Sequence, residues 1–330
     1  MAALRALDLP PFAPRLPWLG SDLQTLRNLL RKLPRALDGG ASIELPLGDD
    51  EALVGMIHRP AEERGAPLAI LIHGLSGTAD SEYVVSTARL LLAHGVPVLR
   101  LNLRGAGASQ RTSGGRYHAG RSEDLVAVIR ALPADLGARG LLLVGYSLGG
   151  NMLLKFLGER VETANVRGAV SVSAPADLAI ASRRIRAPRN WVYHRHLLQS
   201  IKLEALAPTA QLTVSERQAI TSARSIWAFD EHFIAPRHGF AGAEDYYAKC
   251  SAAAFVGRIE VPTLAIHALD DPWIPASAYR TVDWSALPAV RLALTRSGGH
   301  VGFHDAASPI PWHDRAILQF AEMFMARVGT

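Results

Sequence analysis

The chain has 330 residues, 49% of them hydrophobic and 20% charged, with a formal net charge of +5 and one cysteine, Cys250. That length and balance describe a globular protein with a sizeable core, and a single cysteine excludes an intramolecular disulfide framework. The positive excess is spread along the chain without a nucleic-acid-binding motif, so no nucleic-acid partner is expected. The first residues lack a basic head followed by an apolar run, and no apolar stretch is long enough to span a bilayer, so a cytoplasmic location is expected.

Residues 1–41 read as an N-terminal extension packed on the main body. Within it, Ser21 and Asp22 can cap a helix whose apolar positions Leu23, Leu26, Leu30 and Leu33 recur at helical spacing and stop before Pro34. Residues 42–46 and 53–58 carry strand patterns and are expected to form a hairpin. Strand and helix then alternate: strands at 68–73, 96–102, 140–145 and 166–171, helices at 83–94, 121–132 and 148–158. Short apolar strands between helices predict a mostly parallel sheet covered on both faces. The alternation lapses over 178–255, a helical stretch rich in arginine and histidine that is expected to form a cap inserted between the sixth and seventh strands. Strands resume at Thr263 and Val290, and a last helix is expected over 310–328. The core is thus 42–177 together with 256–330.

The chemistry centres on Gly145, Ser147 and Gly149, a G-x-S-x-G sequence between a strand and a helix. A serine hydroxyl is a weak nucleophile and must be lifted out of the backbone to meet a base and a carbonyl. A tight turn does this, and it crowds its neighbours enough to demand glycine two residues either side. The strand from Thr263 runs into Asp270, Asp271 and Pro272, and the strand from Val290 into Ser297, Gly298, Gly299 and His300. Serine, acid and histidine in that order, each just past a strand, follow the α/β-hydrolase arrangement. Ser147 is therefore the candidate nucleophile and His300 the candidate base. Pro272 restricts Asp271 to an extended conformation, which favours Asp271 as the acid over Asp270; Asp177, beyond the sixth strand, is a third candidate. The backbone N–H groups of Leu75 and Leu148 are expected to form the oxyanion hole. His73 reads as a loop stabiliser. His300 and His304 are four apart, but Gly302 lies between them and no third ligand follows, so neither a metal nor another cofactor is expected. The loop 102–109 lacks nucleotide-binding glycine spacing and reads as a rigid loop at the entrance to the site. In the cap, Arg183, Arg184, Arg186, Arg189 and Arg195 flank Trp191, Leu197, Leu198 and Ile201. This pattern predicts an amphipathic helix with its apolar face over the pocket and a basic face open to water or an anionic membrane.

Several segments beyond the G-x-S-x-G turn resemble one family, the YheT-like α/β-hydrolases, which include the plant EMB8-type and animal ABHD esterases. Residues 17–25 (PWLGSDLQT) resemble its N-terminal HLQT segment, with Asp22 where histidine is usual. Residues 117–125 (YHAGRSEDL) resemble its YHSG…DL motif, and 145–159 its elbow. Phe229, Asp230, Glu231, His232 and Phe233, then Gly239 and Phe240, then Asp245, Tyr246 and Tyr247, resemble its cap signature. Asp270, Asp271 and Pro272, with Gly299 and His300, match its acid and histidine positions. The resemblance implies a serine carboxylester hydrolase of short-chain type acting on a small ester or a lipid, with monoacylglycerol or phospholipid hydrolysis in some relatives. Thioesterase, acyltransferase or long-chain lipase action are the rival chemistries, and a non-enzymatic binding protein on the same fold is the rival of another kind.

Overall fold

The structure is a computed structural model and describes residues 4, 7–30, 37–48 and 50–325. Eight strands form one sheet: β1 (Ala41–Gly48), β2 (Glu51–His58), β3 (Leu68–Ile72), β4 (Val98–Leu101), β5 (Leu141–Tyr146), β6 (Val166–Val172), β7 (Thr263–Ala268) and β8 (Val290–Thr295). Their order is β1-β2-β4-β3-β5-β6-β7-β8. The expected hairpin pairs β1 with β2, and β2 meets β4 antiparallel; every other pairing is parallel. This is the α/β-hydrolase architecture expected from the sequence.

The strands alternate between two cores, as the two-residue period of a strand requires. On β3, Leu68, Ile70 and Ile72 face one core while Ala69 and Leu71 face the other. On β5, Leu141 and Leu143 part in the same way from Leu142, Val144 and Tyr146. Burying each such Leu or Ile contributes about 1.5–3 kcal/mol, which is why the central strands are apolar at nearly every position.

The helices are α1 (Ser21–Leu30), α2 (Glu82–Ala93), α3 (Glu123–Ala131), α4 (Leu148–Glu159), α5 (Leu178–Ile185), α6 (Trp191–Ala205), α7 (Val214–Ser222), α8 (Ala243–Cys250) and α9 (Trp312–Glu322), besides shorter helical turns. Helices α5 to α8 lie between β6 and β7. Helix α9 starts after Pro311 and is shorter than expected; residues 326–328 of the expectation lie outside the described residues.

Two expectations about packing faces are corrected. In α1, Leu26 packs half-buried against the core as expected, but Leu23 stays 41% exposed while Gln24 is fully buried, so a polar side chain shares the packing face. Gln24 makes that affordable by hydrogen bonding at both ends of its amide: Nε2 donates to the carbonyls of Trp18 (2.7 Å) and His304 (3.0 Å), and Oε1 accepts from the His304 amide (2.6 Å). Leu33 and the stop before Pro34 lie outside the described residues. In α6, Trp191 is 61% exposed, whereas Tyr193, Leu197 and Ile201 are buried. The buried face follows the four-residue spacing of those three side chains, which rotates Trp191 toward solvent.

Asp22, the departure from the family's usual histidine, joins the N-terminal segment to α6. It accepts hydrogen bonds from Tyr193 (2.9 Å) and Arg189 (2.8 Å).

Candidate active site

β5 ends at Tyr146 and α4 begins at Leu148, leaving Ser147 alone in the turn with φ 50 and ψ −121. A non-glycine residue at positive φ is strained, and here the surroundings hold it: the Ser147 amide donates to the Val172 carbonyl at 2.8 Å. The crowding anticipated from G-x-S-x-G is present. A Cβ on Gly145 would lie 2.5 Å from the Gly149 carbonyl oxygen, and one on Gly149 would lie 2.4 Å from that of His73.

The structure brings Ser147, His300 and Asp271 together. His300 Nε2 lies 3.0 Å from Ser147 Oγ, and His300 Nδ1 lies 2.8 Å from Asp271 Oδ2. Asp271 Oδ1 accepts the amides of Trp273 (2.8 Å) and Ile274 (2.9 Å), which hold Oδ2 toward the imidazole. Burial would raise this carboxyl, but the His300 charge and hydrogen bond, with His267 and the Ile274 amide, outweigh it and hold the group below its ordinary range. With Nδ1–H donated to Asp271, Nε2 is left to accept a hydrogen bond from the Ser147 hydroxyl.

The other acid candidates have different partners. Asp270 accepts the Gly299 amide at 3.0 Å and so shapes the histidine loop. Asp177 caps α5 by accepting the Ile180 amide at 2.9 Å.

The loop after β3 lies against the serine: a Cβ on Gly74 would come within 3.0 Å of Ser147 Cβ. Its Gly74 amide donates to the Tyr83 hydroxyl (3.0 Å) and its Ser76 amide to the Tyr117 hydroxyl (2.6 Å). The Leu75 amide between them, like that of Leu148, has no hydrogen-bond acceptor among the described residues. Two free donors, one of them at the start of α4, are what a developing oxyanion requires.

His73 is used structurally. Its Nδ1–H donates to the Gly74 carbonyl (2.8 Å) and its Nε2 accepts the Leu103 amide (3.1 Å), while burial lowers its pKa to about 4. His304 faces the Arg27 guanidinium, 3.1 Å from Nδ1, a neighbour that repels a metal ion. The 102–109 loop does not border the site as expected; it braces it from behind, Asn102 Oδ1 accepting the Ala79 amide (2.9 Å).

Ser147 and His300 open into a cavity of about 540 Å³. Leu178, Ile185, Leu197, Ile201 and Phe229 of the β6–β7 insert supply an apolar wall. Four contributors escaped sequence reasoning. Thr25 Oγ1 accepts the His300 amide at 2.9 Å. Trp273 stacks on the His300 ring with centroids 4.3 Å apart. Tyr83 and Tyr117 hold the loop around Leu75. Thr25 and Tyr117 sit in segments that the family resemblance had marked, which was the available signal.

A family model described as alpha/beta hydrolase fold matches residues 67–307. The YheT protein of Escherichia coli (strain K12), which bears an esterase's name, is 34% identical over 88% of this chain and 86% of its own length. Phospholipase ABHD3 of Mus musculus is 26% identical over 78% of this chain, and the match spans 63% of that relative's length. Among solved structures, the Pyrococcus furiosus esterase Pf2001 superposes with a TM-score of 0.57 at 17% identity, covering 97% of this chain and 100% of that one, a likeness of fold. No helix among the described residues is long and apolar enough to cross a membrane. The chain belongs to the α/β-hydrolase family, with YheT among its relatives, and is an enzyme of that hydrolytic class.

Proposed function

We propose that the protein is a serine carboxylester hydrolase of short-chain type that works through an acyl-enzyme. The observation that carries this reading is the hydrogen-bonded series Ser147–His300–Asp271 opening into an apolar cavity. Ser147 Oγ attacks the ester carbonyl while His300 Nε2 takes its proton. Asp271 orients the imidazole and stabilises its cation. The Leu75 and Leu148 amides hold the oxyanion, helped by the positive end of α4. As the tetrahedral intermediate collapses, His300 protonates the departing alcohol. It then deprotonates a water that attacks the acyl-enzyme, and the acid leaves with Ser147 restored. Protein groups and water supply every proton and electron pair in this scheme, so chelators should leave the rate unchanged.

The test is covalent labelling by a fluorophosphonate together with hydrolysis of esters of graded acyl length. Wild-type protein should label at Ser147 and favour short chains. Ser147→Ala should lose labelling and lose on the order of 10³-fold or more in rate while remaining folded. Labelling at another serine would overturn the assignment. Product analysis with competing alcohol or thiol separates hydrolysis from acyl transfer and thioester cleavage.

A second surface supports contact with anionic lipid. Trp191 and Val192 are 61% and 68% exposed on α6, Arg195 lies over the Trp191 ring, and Arg183 and Arg186 of the same insert are also exposed. Exposed aromatic and basic side chains together suit the headgroup region of a bilayer.

A further inference from the structure

Beside Phe229 of its apolar wall, the cavity carries a polar cluster that the reaction scheme does not use. The short helix Ile226–Phe229 passes into a π-helical turn, Asp230–Ile234, and the first residue of that turn lines the cavity. Single π turns are uncommon and occur frequently at functional sites, because they re-aim one side chain. Asp230 Oδ2 accepts the Tyr247 hydroxyl at 2.7 Å. With that proton committed, Tyr247 accepts in turn from Ser182, 3.1 Å away. The series ties α5 to α8 and fixes the carboxyl in place. Asp230 Oδ1 has no hydrogen-bond partner among the described residues, and the half-buried carboxyl lines the cavity together with Ile226, Phe229 and Ile234. A carboxyl so placed has an acceptor position open to a group in the cavity.

We propose that Asp230, held by Tyr247, binds a free hydroxyl group of the substrate, so that the enzyme prefers esters bearing a hydroxyl on the alcohol or the acyl half. This rests on the ester-hydrolase reading above and names its substrate class. The charge balance selects a neutral group. Arg116 lines the same wall but is engaged by Glu204 at 2.6 Å, and Glu204 also accepts the Tyr117 hydroxyl at 3.1 Å. A carboxylate ligand would meet Asp230, and a cation would meet Arg116. A hydroxyl donates to Asp230 Oδ1 and can accept in return. Burial raises the Asp230 carboxyl to about 7 against the pull of Tyr247 and Arg116.

The experiment compares kcat/KM within length-matched ester pairs, using the full chain. One pair is 2-hydroxyethyl and propyl hexanoate; the other is p-nitrophenyl 6-hydroxyhexanoate and heptanoate, so the two pairs distinguish a hydroxyl on the alcohol half from one on the acyl half. At pH 8, where Asp230 is mostly ionised, wild-type enzyme should favour the hydroxylated member of one pair by about tenfold or more, the scale of a hydrogen bond to a charged group. Asp230→Leu should bring that ratio to about one. Asp230→Asn, which keeps an acceptor oxygen, should retain part of it, and Tyr247→Phe should lower it. If Asp230→Leu fails to fold, the ratios in Asp230→Asn and Tyr247→Phe decide. Wild-type indifference within both pairs overturns the proposal, as do an unchanged ratio in the variants and a preference for cationic hexanoylcholine or anionic carboxymethyl hexanoate over 2-hydroxyethyl hexanoate. Wild-type enzyme that hydrolyses no ester and resists the fluorophosphonate would instead sink the ester-hydrolase reading, a result distinct from any of these.

Discussion

Thr25 Oγ1 accepts the backbone amide of His300 at 2.9 Å, across 275 residues of sequence. The same hydroxyl donates to the Ser21 carbonyl at 2.7 Å, so one side chain ties the first turn of α1 to the histidine loop. The approach is close enough to exclude side chains: a Cβ on Gly299 would lie 2.6 Å from both Ser21 O and Thr25 Oγ1, and one on Gly302 would lie 2.4 Å from the Gln24 carbonyl. The N-terminal helix is therefore part of what sets the imidazole in place.

Thr25→Val keeps the shape and removes the acceptor. It should lower kcat by roughly tenfold, with KM nearly unchanged, because a small misplacement of a catalytic group is expensive in rate. Fluorophosphonate labelling should slow in parallel, and Thr25→Ser should restore both. Equal losses in Thr25→Val and Thr25→Ser would show that packing, and not the hydrogen bond, is what matters.

Asp271→Asn should cost far more activity than Asp270→Asn, up to roughly 10⁴-fold, since only Asp271 meets the imidazole. The Asp270 substitution keeps an acceptor oxygen for the Gly299 amide and removes only the charge, so it should act through the loop, more modestly. Steady-state kinetics on one short ester decides. A greater loss from Asp270→Asn, or from Asp177→Asn, would move the acid.

The strand series and the serine turn were legible because their causes are local: alternating burial writes apolar runs, and a crowded turn writes glycines. Pro272 pointed to Asp271 for the same kind of reason. What was not legible depended on distant partners. Nothing near Gln24 in sequence announces that its amide will meet both backbone groups of His304, so the leucines of α1 looked like the packing face. Trp191 was assigned to the pocket by apolarity, although the register of Tyr193, Leu197 and Ile201 turns it outward. Asp230 reaches the cavity through a π turn, a geometry without a clear sequence signature.

That register gives a contrast on a single helix. Ile201→Ala, on the cavity wall, should shift the preferred acyl length toward longer chains by enlarging the apolar space. Trp191→Ala should leave the profile with soluble esters alone and reduce binding to anionic vesicles, more so at low salt, where exposed charge is least screened. Rates across acyl lengths and vesicle sedimentation measure the two effects. A length shift caused by Trp191→Ala would place that residue in the binding wall after all.

Beneath the serine turn, Asp314 on α9 accepts from Ser86 at 2.6 Å and from Thr87, whose hydroxyl also lies 2.5 Å from that of Tyr146. Burial raises the Asp314 carboxyl to about 7, against the opposing effect of those two hydroxyls. A carboxyl whose folded pKa exceeds its unfolded value binds more protons in the folded state, so its contribution to stability falls as pH rises from about 4 through about 7. Asp314→Asn removes that dependence. The melting temperature of the variant minus that of wild type should therefore climb through this window and level off above it. His313, lowered by burial to about 3, has its Nε2 3.2 Å from Asp314 Oδ1, so both proteins are measured in a His313→Gln background, which keeps its titration out of the difference. A difference that stays flat between pH 5 and 8 would mean that Asp314 is ionised throughout, its charge compensated by the Ser86 and Thr87 hydroxyls alone.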